Sequence, residues 1–205
     1  MRRSGKGGLV MALVLVVQAM ALRPAAAAIN PHVLALKVSA FPAGAFITHE
    51  HVDRTAKAVD AEGFVGSPST QGNFYQRLHF TGSLFQSARL PTFQGASREL
   101  WLLATVFPSA NVAKQALAAD AHFSECDLSP AIPTLAGAVT CAYSNAQGPE
   151  AGMYVLSTVG RVEFIVVGFV GMASSAARAR AIRDATYLAL QEAGHVRHVL
   201  VVSKE

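Results

Sequence analysis

The sequence predicts an α+β fold: a single domain with a mostly antiparallel sheet of about five to seven strands and helices packed on its faces. Three observations lead there. Strand-like runs outnumber helical ones and come in adjacent pairs, which favours antiparallel neighbours. Residues 162–170, VEFIVVGFV, are apolar on both faces apart from Glu163, the pattern of a central strand covered on both sides. Helical spacing recurs in three segments, two of them rich in Ala, and small side chains let a helix lie close on a sheet.

The elements follow in chain order. Residues 1–28 read as a signal peptide. Arg2, Arg3 and Lys6 form a positive start, Leu9 to Leu22 is apolar, and Ala26 and Ala28 suit a signal peptidase. The apolar stretch falls short of the ~20 residues a membrane-spanning helix needs. Cleavage is expected near Ala28, leaving residues 29–205 as one extracytoplasmic domain, periplasmic or secreted. Residues 29–35 are a lead-in, and His32 to Ser39 forms a first strand or a short helix. Pro42-Ala43-Gly44 is turn chemistry. A first helix is expected from Thr48 to Ala61, with Thr48 as cap and Val52, Ala56 and Val59 as its stripe. Residues 63–73 are Gly/Ser/Pro/Asn-rich and read as a loop.

A strand is expected from Phe74 to Phe85, with Arg77 and His79 on its exposed side, then a loop from Arg89 to Ala96 around Pro91. Arg98 to Phe107 is a second strand. Ser109 caps a helix carrying Val112, Ala113, Ala116, Leu117 and Asp120 at helical spacing. After a Pro-containing crossover, Ala138 to Tyr143 is a short strand. Residues 153–158 and 161–170 pair as a hairpin about Val159-Gly160, where Gly168 marks a close backbone approach or a bulge. The last helix starts at Ser174 or Ser175. Ala177, Ala181, Ala185, Leu188 and Glu192 track one face, and Gly194 ends it. His195 to Val202 adds an edge strand.

Charge and cysteines bound the partners. The chain carries 17 Lys+Arg and 13 Asp+Glu, a net of +4. Arg2, Arg3, Lys6 and Arg23 all lie in the segment expected to be removed, and no Asp or Glu lies there, so the remainder is balanced. No basic stripe or Gly-rich phosphate loop is present, so neither nucleic acid nor a nucleotide is expected as a partner, and no cofactor is expected. A membrane is reached only through the N-terminal segment, if that stays uncleaved. Cys126 and Cys141 are the two cysteines, and an oxidising compartment favours their pairing as a disulfide.

Candidate chemistry is sparse. His49-Glu50-His51-Val52-Asp53 preceded by Thr48 reads T-H-x-H-x-D and resembles the metal-binding motif of the metallo-β-lactamase superfamily. That resemblance implies His49, His51 and Asp53 as metal ligands of a hydrolase. The position that usually holds another His is Arg54 here. The simpler expectation is a solvated first helical turn. Arg77, His79 and Arg161 are the candidate ligand-binding residues. Trp101, in an apolar strand, is assigned to the core.

Over residues 40–193 the order of elements resembles a class of exported bacterial α+β domains to which no activity is assigned. The likeness is carried by Pro42-Ala43-Gly44-Ala45-Phe46, by Val106-Phe107-Pro108-Ser109-Ala110 and by Gly160-Arg161-Val162 before the closing helix. The outline is also similar to the PsbP/Mog1 sandwich, by topology alone. These resemblances imply a fold and export. The expectation is a non-enzymatic domain that binds a protein or a small molecule. The alternatives are a metal-dependent hydrolase and a structural domain held at the membrane by an uncleaved N-terminus.

Overall fold

Six strands, β1 (Phe46–Asp53), β2 (Gly82–Phe93), β3 (Ala96–Val106), β4 (Val139–Asn145), β5 (Glu150–Val159) and β6 (Val162–Val170), hydrogen-bond into one sheet. Their order is β1-β2-β3-β6-β5-β4, and every neighbouring pair is antiparallel. The computed structural model describes residues 28–62, 71–122, 126–145 and 150–203. The expected signal peptide and most of the loop 63–73 lie outside the described residues.

Tight turns explain the antiparallel pairing. Gln94 and Gly95 both take positive φ, 50° and 82°, as a two-residue hairpin turn between Phe93 and Ala96 requires. Gly160 turns β5 into β6 at φ 56°.

Helices cover both faces, as the doubly apolar β6 foretold. On one face lies α4 (Ser175–Val202), whose Ala181, Ala185, Leu188 and Ala189 join Leu100, Leu102, Phe164 and Val166 in the larger core. The close approach expected at Gly168 is real. A Cβ there would stand 3.1 Å from the Ala181 carbonyl oxygen and 3.2 Å from the Ala185 methyl. On the other face α3 (Ala110–Asp120) packs Ala113 and Ala116 with Leu156 and Ile165. Val59 of α1 (Ala56–Glu62) and Tyr75 of α2 (Gln71–Arg77) join that second cluster. Ser109 and Ser174 cap α3 and α4, their Oγ atoms accepting from Val112 N at 3.3 Å and Ala177 N at 3.0 Å. Cys126 and Cys141 form the expected disulfide, with Cα atoms 5.2 Å apart.

Of the two forms expected over His32–Ser39, the short helix is the one found, as 3-10 helices at Pro31–Leu34 and Val38–Ala40. Three expectations are corrected. The helix expected over Thr48–Ala61 is β1 followed by α1. Its stripe begins only at Ala56, while the β-branched Ile47, Thr48 and Val52 fit the extended partner that β2 needs. The strand expected over Phe74–Phe85 is α2, a turn in which His79 takes φ 55°, and the start of β2 at Gly82. Residues 89–93, expected in a loop, continue β2. Pro91 is tolerated because the β2–β3 register slips between Leu90 and Phe93, where a missing N–H costs no ladder bond.

The edge strand over His195–Val202 is also overturned, because α4 runs straight through Gly194 to Val202. Glycine inside a helix costs ~1 kcal/mol relative to alanine. Burial of Val196 and Val199 on the same face offsets it, at ~1.5–3 kcal/mol for each fully buried side chain. No helix among the described residues is long and apolar enough to cross a membrane.

Candidate functional site

Strand alternation decides what meets at the surface. Successive side chains of a strand point to opposite faces, so the pairing register sorts β1–β3 into two rows. Ile47, Glu50 and Val52 share the α4 side with Ala88, Gln86 and Leu84. An irregularity between Ile47 and His49 resets the alternation, and His49, His51 and Asp53 then share the opposite face with Ser87, Phe85 and Ser83. On β3, Glu99 and Trp101 follow across from Arg89 and Ser87.

That second face carries a groove of about 370 Å³. Strand β1 supplies Thr48, His49 and His51, β2 supplies Phe85, Ser87 and Arg89, and β3 supplies Glu99 and Trp101. Its polar groups are held in place by one another. Ser87 Oγ lies 2.7 Å from Thr48 Oγ1 and 3.1 Å from His49 Nδ1. Arg89 Nε lies 3.4 Å from Glu99 Oε1, and Trp101 Nε1 donates to Glu99 Oε2 at 3.4 Å. His51 Nε2 is 3.5 Å from Asp53 Oδ2. The aromatic rings are braced too. Trp101 meets Phe169 edge-on at 4.8 Å and Phe85 at 6.5 Å, and the His51 ring sits 5.1 Å from Phe85.

A serine nucleophile needs a base that a third group orients. Asp53 faces His51, while the histidine on Ser87 is His49.

Beneath the same face lies a buried polar cluster. Tyr75 Oη donates to Asp120 Oδ2 at 2.5 Å, and Gln71 Nε2 donates to Asp120 Oδ2 at 3.3 Å and to Tyr75 Oη at 3.1 Å. Glu163, the one charged residue of the apolar β6 run, sits beside Asp120 and Tyr75. Burial, and then the Asp120 charge, push the Glu163 carboxyl well above its ordinary range. Burial likewise raises Asp120, against the hydrogen bonds from Tyr75 and Gln71 that pull it down. Two carboxyls so placed hold protons well, but exposures of 1% and 6% keep substrate away from them. They dock α2 and α3 to the sheet.

The histidine motif stays together, while Arg77, His79 and Arg161 lie apart from it. His49 and His51 line the groove from a strand, not a helical turn, and Asp53 follows them on the same face. Among the described residues, no three His, Cys, Asp or Glu come together so as to hold a metal ion. Arg77 ends α2 with its guanidinium 5.8 Å from the Phe74 ring centre. His79 lines a second groove, about 600 Å³, with Arg54, Lys57, Asn73 and Gln76. Arg161 lies in the β5–β6 turn, where its carbonyl accepts from Phe107 N at 2.9 Å. Neither groove is lined by Arg77 or Arg161.

Phe85, Ser87, Arg89, Glu99 and Trp101 were not anticipated as site residues. The available signal was alternation: Phe85, Ser87 and Arg89 are spaced two apart, as are Glu99 and Trp101. A loop expectation at Arg89 and a core expectation for Trp101 hid it.

No protein-family profile and no curated protein matches the chain. Its structure is similar to the crystal structure of the extracellular domain of PknH from Mycobacterium tuberculosis. The TM-score is 0.54 at 12% identity, over 83% of this chain and 97% of that one. At that identity the likeness concerns the fold.

Proposed function

We propose that this chain is a non-enzymatic extracytoplasmic domain that binds a small molecule in the β1–β3 groove. The groove itself carries the reading. Its hydroxyl, imidazole, carboxylate and guanidinium groups are paired around two braced aromatic rings, so they are ordered before any ligand arrives. Sites built on strands hold such geometry better than sites on loops, which favours this groove over the one at His79. The disulfide and the signal-like N-terminus support an extracytoplasmic location. The similar PknH domain is itself extracellular.

Two measurements test the proposal. Intact mass of the protein recovered outside the cytoplasm should show loss of the first 28 residues, give or take two. Retention of the full mass would favour the membrane-held alternative. A fragment screen by amide and indole NMR on the exported protein should then produce shifts centred on His49, Ser87 and the Trp101 indole. Shifts confined to other surfaces, or saturable zinc binding lost on His49→Ala and His51→Ala, would displace the small-molecule reading.

A further inference from the structure

We propose that the groove takes a neutral saccharide, with a sugar ring against Trp101 and its hydroxyls on the Arg89–Glu99 and His49–Ser87 pairs. This rests on the groove being the binding site and adds the chemical class of its ligand. Three properties of the lining select that class.

The first is the fixed aromatic surface. Trp101 is half-buried, with Phe169 and Phe85 edge-on against it, so its indole plane is set. An aromatic face carries partial negative charge, and the C–H face of a sugar ring presents partial positive charge and apolar area.

The second is the mixture of donors and acceptors. Vicinal hydroxyls each donate and accept, so they need both kinds of group within a few ångströms. Glu99 only accepts, Arg89 only donates, and Ser87, Thr48 and the imidazoles do either. The planar Arg89 and Glu99 side chains can each engage two neighbouring hydroxyls.

The third is charge balance. Arg89 Nε and Glu99 Oε1, 3.4 Å apart, offset each other, so an anion or a cation gains little net attraction. A wholly apolar ligand would strip water from both without replacing its hydrogen bonds, which costs free energy. The volume, about 370 Å³, stands at the small end of the ~300–1,000 Å³ typical of ligand sites.

The chain contains a single Trp, so fluorescence excited beyond the tyrosine absorption band reports Trp101 alone. The exported protein is titrated separately with maltose, cellobiose and N,N′-diacetylchitobiose, and with glucuronate and hexanoate as charged probes. A saturable change with at least one neutral disaccharide is expected, at least ~10-fold tighter than with either charged probe, which corresponds to ~1.4 kcal/mol. Glu99→Ala and Arg89→Ala should each weaken that response by about 10-fold or more. Glu99 and Arg89 are partly exposed, at 35% and 64%, so the thermal midpoint should hold and separate lost binding from lost folding.

A saturable response to glucuronate or hexanoate, with none to the three disaccharides, overturns the saccharide assignment and leaves the groove as the site. A flat response to every probe overturns the saccharide assignment. If the NMR fragment shifts also lie away from Trp101, the groove reading fails with it.

Discussion

Glu192 lies on the buried face of α4, fully enclosed, and neither carboxyl oxygen has a hydrogen-bond partner among the described residues. Burial pushes its pKa up to about 8. In the unfolded chain a Glu titrates near ~4.3. Between those values the folded form keeps a proton that the unfolded form releases. Stability is therefore fully present below about pH 4.3 and falls as pH rises toward 8, by at most ~1.4 kcal/mol per pH unit for this group. Glu163 and Asp120 are raised as well and act in the same direction. Urea unfolding at pH 5 and pH 8 should show the higher midpoint at pH 5, and Glu192→Gln should reduce the difference, chiefly by stabilising the protein at pH 8. The apolar neighbours Ala181, Ala185 and Leu188 placed Glu192 on the buried face in the sequence already. Its isolation there was not legible, because it depends on what the sheet brings opposite. Tyr75→Phe removes the donor to Asp120, and should cost about 1–3 kcal/mol in the same assay.

At the scale of elements, periodicity was readable where one face was buried and misleading where an element changed type. Serine caps at Ser109 and Ser174 and the hairpin at Gly160 were legible because each is local chemistry of a few residues. The β1 segment was not. Val52, Ala56 and Val59 line up as a helical stripe, yet Val52 belongs to a strand whose backbone groups are satisfied by β2, far away in sequence. The end of α4 failed for the same reason: Gly194 is a local stop signal that tertiary burial of Val196 overrides. A chain ending at Gly194 should therefore unfold at a thermal midpoint several degrees lower, measured by circular dichroism, whereas loss of a separate edge strand would leave α4 intact. Gly168→Ala pushes a methyl toward the Ala181 carbonyl and should cost about 1–3 kcal/mol in chemical unfolding.

For the whole molecule, the disulfide ties the crossover before β4 to that edge strand, its cysteines standing 15 positions apart in sequence. Its reduction should lower stability by ~3 kcal/mol on the chain-entropy account, read as a shift in urea midpoint with and without reductant. The net +4 that composition suggests belongs to the N-terminal segment; the rest of the chain is balanced, which turns attention from charge to shape.

By itself the sequence determined the α+β class, the doubly covered β6, the helix caps and the cysteine pairing. Each follows from spacing within a short segment or from the number of partners available. Only the tertiary structure decided the strand order, the passage of α4 through Gly194 and the composition of the groove. Those depend on pairing register, and a register is a contact between distant segments: one irregularity at Thr48 turns His49 and His51 to the face where Ser87 and Trp101 meet them.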